Sequence, residues 1–168
     1  TWFEAPLPDY DFKGYKKITN SVGIKIIPSG NWVVDLERFS EAIENKIWSA
    51  TRTDMAMIGG ITNGKKAMDL SAAGGLDCEI MSWGYTLVSV ANLHLMLSSN
   101  NCSYYEQPLP YETFEFGMKD VLRTGRDGYM YAPKKPGLGM EVNWEQMKTK
   151  IIYSFLCDTN KKIGNVHA

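Results

Sequence analysis

Apolar and polar positions along the chain alternate between two regimes. Short runs rich in β-branched and aromatic residues, at Thr1 to Phe3, Gly23 to Ile27, Ser49 to Thr53 and Asp77 to Met81, with a weaker one ending at Tyr104-Tyr105, read as strands. Between them apolar residues recur at helical spacing: Tyr15, Ile18 and Val22; Leu36, Phe39, Ile43 and Ile47; Leu87, Val90, Ala91, Leu93, Leu95 and Leu97. The positions at which the strands should end, Glu4, Gly30, Asp54, Ser82 and Glu106, follow one another at intervals of roughly two dozen residues. Such a βα repeat predicts a parallel sheet with helices packed outside it. Parallel folds build their sites at the carboxyl ends of strands, so the edge carrying Glu4, Asp54 and Glu106 is the candidate functional edge.

After Glu106 the pattern changes. Pro108-Leu109-Pro110 interrupts it, Asp127-Gly128-Tyr129-Met130-Tyr131 predicts a turn followed by a short strand, and Pro136-Gly137-Leu138-Gly139 is a second breaker. Trp144 to Phe155 reads as a closing helix, and Lys161 to Ala168 as a frayed end. Residues 1–106 therefore form the βα unit and 107–168 a C-terminal segment.

Composition narrows the classes without changing this outline. A chain of 168 residues, 44% hydrophobic and 22% charged, is an ordinary globular domain and not a disordered one. The net charge of -1, with Lys and Arg scattered, gives no basic stripe, so nucleic acid is not an expected partner. No apolar run reaches the ~18 residues of a membrane span, and a signal-peptide pattern is lacking, so a cytoplasmic location is expected. Cys78, Cys102 and Cys157 are odd in number and lack metal-ligand spacing, which predicts free buried thiols. Asn101-Cys102-Ser103 fits the glycosylation triplet, but nothing else in the chain suggests secretion. Gly59-Gly60-Ile61-Thr62-Asn63-Gly64-Lys65-Lys66 has the glycine and lysine spacing of a phosphate-binding loop. Lys66 stands where a magnesium-binding hydroxyl is required, so the glycines are read as a tight turn, with Thr62 or Asn63 capping the next helix.

On this framework four ordered motifs carry a family resemblance. Trp2-Phe3-Glu4-Ala5-Pro6 looks like W-x-E-E-P at the end of a fourth barrel strand, and Asn31-Trp32 like the end of G-E-N-W after the fifth. Asp54 with Ile58-Gly59-Gly60-Ile61-Thr62 looks like the sixth-strand D-x-x-x-x-G-G-[IV]-T, and Pro136-Gly137-Leu138-Gly139 like a late P-G-[LV]-G. The chain thus resembles the enolase superfamily, in its mandelate racemase and muconate lactonizing branch, from Thr1 to about Trp144. The resemblance implies an α/β fold that is the second half of a (β/α)8-type barrel with its C-terminal segment. The first metal-binding Asp, the Lys bases and the capping domain would lie before Thr1. A complete barrel needs ~250 residues, so the chain is expected to be part of a longer polypeptide. The N-terminal half of that polypeptide would be its partner, and a homo-oligomer is expected.

The resemblance also implies chemistry. Family enzymes abstract a proton next to a carboxylate and hold the enediolate on Mg²⁺, a hard cation that stabilises developing oxyanion charge. Glu4 matches a metal ligand. Glu106 matches the acid that hydrogen-bonds the substrate carboxylate or enediolate, and Asp54 the partner of a catalytic histidine. Two departures follow. Ser29-Gly30 stands where a ligating Glu should precede Asn31, so that the Asn31 amide oxygen or a water fills in or metal binding is weak; Asn31 is also a candidate substrate-binding residue. Ser82-Trp83-Gly84-Tyr85 replaces the histidine after the seventh strand, where Trp83 would face a substrate. Tyr85 could transfer a proton there only if its pKa of ~10 were lowered by a cation. His94 falls inside the following helix and is read as structural. The activity expected of the parent is a Mg²⁺-dependent sugar-acid dehydratase; racemization, cycloisomerization or ligand binding without chemistry are the alternatives.

Overall fold

The computed structural model of the protein describes residues 1–153 in full and, beyond them, the backbone of Ser154–Leu156 and Gly164–Val166. Four βα units open the chain: β1 (Trp2–Glu4), α1 (Phe12–Thr19), β2 (Lys25–Ile27), α2 (Leu36–Glu44), β3 (Thr51–Thr53), α3 (Ile61–Ala73), β4 (Cys78–Ile80) and α4 (Thr86–Leu97). β1 pairs in parallel with β2, Trp2 opposite Lys25, and β3 in parallel with β4, Thr51 opposite Cys78. The two ribbons are joined at Ser49, whose amide donates to the Ile26 carbonyl at 2.9 Å while its hydroxyl accepts from the Ile26 amide at 3.0 Å. The predicted alternation and parallel pairing are both present. All three residues of β3 and all three of β4 are buried, as a sheet covered on both faces requires.

The fifth predicted strand forms no ladder. Asn101 to Glu106 runs beside β4, but the Ile80 amide donates to Cys102 Sγ at 3.4 Å, the Ser103 amide to Glu79 Oε2 at 3.3 Å and the Glu106 amide to Ser82 Oγ at 2.7 Å. Apart from the Cys78 amide, which donates to the Asn101 carbonyl at 2.6 Å, side chains take the places of backbone partners. Asn101 is committed inward, its amide donating to the Met68 and Leu76 carbonyls, which removes it as a glycosylation acceptor on this fold.

Local chemistry explains the helix starts. Asp11 Oδ1 accepts from the Gly14 amide at 2.9 Å and Asp35 Oδ1 from the Arg38 amide at 2.8 Å, each filling an unsatisfied donor of a first turn. α3 lacks a side-chain cap. Gly59 and Gly60 lead into it at φ of 89° and 109°, angles that glycine alone adopts readily, while the Asn63 amide donates back to the Ile58 carbonyl. Thr62 and Asn63 thus lie within the helix and do not cap it.

The main core gathers on Trp48, which meets Phe12, Tyr15 and Phe39 edge-on at centroid distances of 5.7, 6.2 and 6.3 Å. A second cluster, Val90, Leu93 and Leu122 with Tyr105, Met130, Leu138 and Met140 against it, packs the C-terminal segment onto α4. This accounts for the nearly continuous apolar character of α4, which is covered on two sides. His94 bonds the Leu138 carbonyl across that contact at 3.2 Å, the structural role expected of it. Cys78 is buried and free and Cys102 is free but only half-buried; Cys157 lies outside the described residues.

Three expectations for the C-terminal segment are corrected. The turn near Asp127 closes through the Gly125 amide and Tyr129 carbonyl at 2.8 Å, yet no strand follows it. Among the described residues helical structure here is confined to α5 (Tyr111–Glu115) and α6 (Trp144–Lys148), so the closing helix stops well short of Phe155. The Ile151-Ile152-Tyr153 run favours extended backbone over helix. It leads into β5 (Ser154–Leu156), antiparallel to β6 (Gly164–Val166), which places part of the supposed frayed end in a pairing. Among the described residues no helix is long and apolar enough to cross a membrane.

The Trp48 cluster gives a stability prediction. In the intact protein Trp48→Ala should cost about 3–5 kcal/mol in denaturant unfolding, as large aromatic deletions in a core do. The exposed Trp144→Ala should stay within about 0.5 kcal/mol.

Candidate active site at the strand ends

The three predicted acids do not share one environment. Glu4 and Glu106 converge on a residue absent from the sequence-based list, Arg52 in the middle of β3. Its Nη2 forms a short ion pair with Glu106 Oε1 and stands 3.6 Å from Glu4 Oε2, while its Nε donates to the Ser29 carbonyl at 3.2 Å. The Arg52 side chain is 2% exposed, against 27% for Glu106 and 40% for Glu4. A guanidinium so buried has to be paired, and its planar fork lets one group address a carbonyl and two carboxylates at once. The second oxygen of Glu106, Oε2, is buried without a hydrogen-bond partner. Lys25, on the strand paired with β1, is turned away from Glu4 to Asp77 at 2.8 Å.

Asp54 is buried, and each of its carboxylate oxygens accepts a hydrogen bond. Its Oδ1 accepts from the Ala56 amide at 2.5 Å and its Oδ2 from Asn92 Nδ2 at 3.1 Å. Asn92 also donates to the Met81 carbonyl at 3.0 Å and accepts from the Met55 amide at 3.0 Å, which ties the ends of β3 and β4 to α4. In this arrangement Asp54 is a positioning residue. Tyr85 is likewise committed. Its hydroxyl donates to the Phe116 carbonyl at 2.7 Å, and burial pushes its pKa up, the direction opposite to that required for proton transfer near neutral pH. Trp83 remains 51% exposed and stacks edge-on with Phe114 at 5.7 Å, leaving much of its ring open to a ligand.

Asp9 was also missed from sequence. This buried carboxylate accepts from the Ser29 amide and hydroxyl, both at 2.7 Å, from the Gly30 amide at 3.2 Å, from the Trp32 amide at 3.4 Å and from the Tyr15 hydroxyl at 3.5 Å. It fixes the loop after β2 that carries Gly30 and Asn31. The Tyr15 phenol, buried beside this carboxylate, has its pKa raised well above the usual range. Gly30 has φ of 82°, and a Cβ there would meet Arg52 Cγ at 3.0 Å and the Arg52 carbonyl oxygen at 3.3 Å. The position of the expected ligating Glu is therefore filled by the arginine stem. The Asn31 amide donates to Ser29 Oγ at 3.2 Å within the same loop.

These strand-end acids sit on a fold shared with known proteins. The enolase C-terminal domain-like family matches residues 1–147. The chain belongs to the enolase superfamily. A mandelate racemase/muconate lactonizing enzyme-type protein from Pseudovibrio sp. superposes with a TM-score of 0.86 at 40% identity, over 88% of this chain and 40% of that one. D-glucarate dehydratase from Agrobacterium tumefaciens, solved with magnesium, superposes with a TM-score of 0.73 at 25% identity, over 88% of this chain and 39% of that one. Among curated relatives, the D-galactonate dehydratase family member RspA of Pantoea ananatis is 32% identical over 122 residues, 70% of this chain. The chain spans 28% of the length of that relative.

Magnesium fits this half of the site poorly. Glu4 is the one carboxylate that the resemblance would make a ligand, Gly30 offers no side chain, and among the described residues no group of three or more His, Cys, Asp or Glu could hold a metal ion.

Removal of the loop clamp has a measurable consequence. Asp9→Ala orphans several buried donors and should cost at least about 1–3 kcal/mol in unfolding free energy. Hydrogen exchange should accelerate at the Ser29, Gly30 and Trp32 amides before it does at Ile26.

Proposed function

We propose that the chain forms the fourth- to eighth-strand half of a (β/α)8 barrel enzyme, and that the enzyme dehydrates a small sugar acid. In the reaction a base removes the proton α to the substrate carboxylate, giving an enediolate. The electron pair then expels the β-hydroxyl, which leaves as water with a proton from a general acid, and the resulting enol becomes a 2-keto acid. The family membership and the dehydratase relatives support the reaction class.

The observation that carries the reading in this chain is the Arg52–Glu106 pair. Arg52 holds one oxygen of Glu106 and leaves Oε2 buried and unpartnered, and a buried acceptor in that state calls for a donor. A substrate hydroxyl or protonated carboxyl group supplies one. Glu106 is thus the group assigned to the substrate carboxylate end. Arg52 acts through it as a positioning residue, and Trp83 and Asn31 are assigned to the substrate from the neighbouring loops. Asp54 and Tyr85 are not given the proton. Both are held by structural hydrogen bonds, so the base is assigned to the part of the polypeptide that supplies the other barrel strands.

A second reading, a family member that binds a sugar acid without turning it over, draws on the structural hydrogen bonds that hold Asp54 and Tyr85. One experiment separates the two. The intact protein is incubated in deuterated water with a panel of aldonic and aldaric acids, and exchange at the α-carbon and 2-keto acid formation are followed by NMR. The dehydratase reading expects both with at least one acid, and a loss of roughly a hundredfold or more in Glu106→Gln, as for a lost transition-state hydrogen bond. Binding with no exchange for any acid leaves the ligand-binding reading.

A further inference from the structure

We infer that Arg52 is the resident cation of the Glu4–Glu106 cluster, so that a guanidinium fills the place a divalent metal would take between these strand-end carboxylates. The inference concerns the site of the proposed reaction but does not rest on the identity of the substrate. Four observations lead to it.

The first is reach: Arg52 Nη2 contacts both carboxylates, Glu106 closely and Glu4 at 3.6 Å. The second is fixation, since the Ser29 carbonyl holds Nε at 3.2 Å and the side chain is 2% exposed. This is a built-in charge and not a surface arginine that happens to fold over. The third is room. The arginine stem runs where a side chain at position 30 would begin, 3.0 Å from the Cβ that Gly30 lacks. The Gly30 φ of 82° disfavours any replacement with a side chain. A side chain at position 30 and the Arg52 stem in this conformation would thus compete for the same space, beside the residue-52 backbone. The fourth is the loop itself, clamped by four hydrogen bonds to Asp9, so that it cannot open cheaply to admit both an ion and the guanidinium.

Charge leads to the same conclusion. Mg²⁺ requires near-octahedral oxygen ligation at roughly 2.0–2.1 Å. Here the carboxylate oxygens facing the cluster centre are turned to a fixed positive group, which repels a second cation in a low-dielectric setting. A guanidinium supplies one positive charge with directed N–H donors and needs no vacant coordination sphere. It pairs with Glu106 Oε1 and leaves Glu4 half-exposed and weakly held.

The test is metal binding without substrate, so its failure and the failure of the dehydratase reading are separate events. The intact protein, stripped with a chelator, is titrated with Mn²⁺ while the free ion is followed by electron paramagnetic resonance. Glu4→Gln is titrated in parallel, and melting temperatures are recorded with and without millimolar Mg²⁺. The expected result is no saturable uptake that depends on Glu4, and a melting temperature that Mg²⁺ does not raise through Glu4. Uptake that is identical in Glu4→Gln places the ion elsewhere and upholds the assignment. Saturable uptake of one equivalent, or a Mg²⁺-dependent rise in melting temperature, that Glu4→Gln abolishes would overturn it. Glu4 is 40% exposed, so the isosteric change is tolerated by the fold, and the wild-type titration stands in any case.

Discussion

A guanidinium buried at the strand ends must be neutralised where it lies, and that requirement organises the site. An unpaired buried charge costs several kcal/mol, so Arg52 cannot occupy the interior of β3 unless acids from neighbouring elements reach it. Glu4 comes from the end of β1 and Glu106 from the extended segment beside β4; the carbonyl of Ser29 completes the set from the loop after β2. Three segments far apart in sequence are thereby indexed to one side chain. The functional edge is a consequence of charge pairing as much as of topology.

Two further buried polar groups hold the frame in which that pairing works. Asp9 gathers the loop that carries Gly30, and Asp54 with Asn92 locks the ends of β3 and β4 to α4. Both fill backbone donors that a dry interior would otherwise leave unsatisfied. They also explain why the loops after short three-residue strands keep a defined shape. The strands alone supply few ladder bonds, and the carboxylates supply the rest.

Much of this was legible in the residues. The period of the βα repeat located Glu4 at the end of β1 and Asp54 just after β3 because apolar runs and breakers report backbone periodicity directly, whereas Glu106 lies in an extended segment that forms no strand. The parallel pairing followed from the same alternation. Arg52 was not legible, since a charged residue between Thr51 and Thr53 in a short run reads as an ordinary surface strand position; its burial depends on partners that lie far away in sequence. A signal was present in hindsight, because an inward-facing cation in a fully buried strand demands nearby acids. Asp9 escaped because its donors are backbone amides, which no side-chain pattern reveals. Tyr85 and Asp54 stand where the motifs put them, yet their bonds to Phe116 and Asn92 depend on tertiary packing. The closing helix failed for a local reason, the β-branched pair Ile151-Ile152 that ends helical structure after Lys148.

The central claim, that a fixed guanidinium and not a metal joins Glu4 to Glu106, is tested most directly by crystallography of the intact protein grown with Mn²⁺. Anomalous differences collected near the manganese edge would locate any bound ion. The account predicts Arg52 between the two carboxylates with no anomalous peak within ligand distance of Glu4. A peak coordinated by Glu4, with the Arg52 side chain displaced from Glu106, would contradict it.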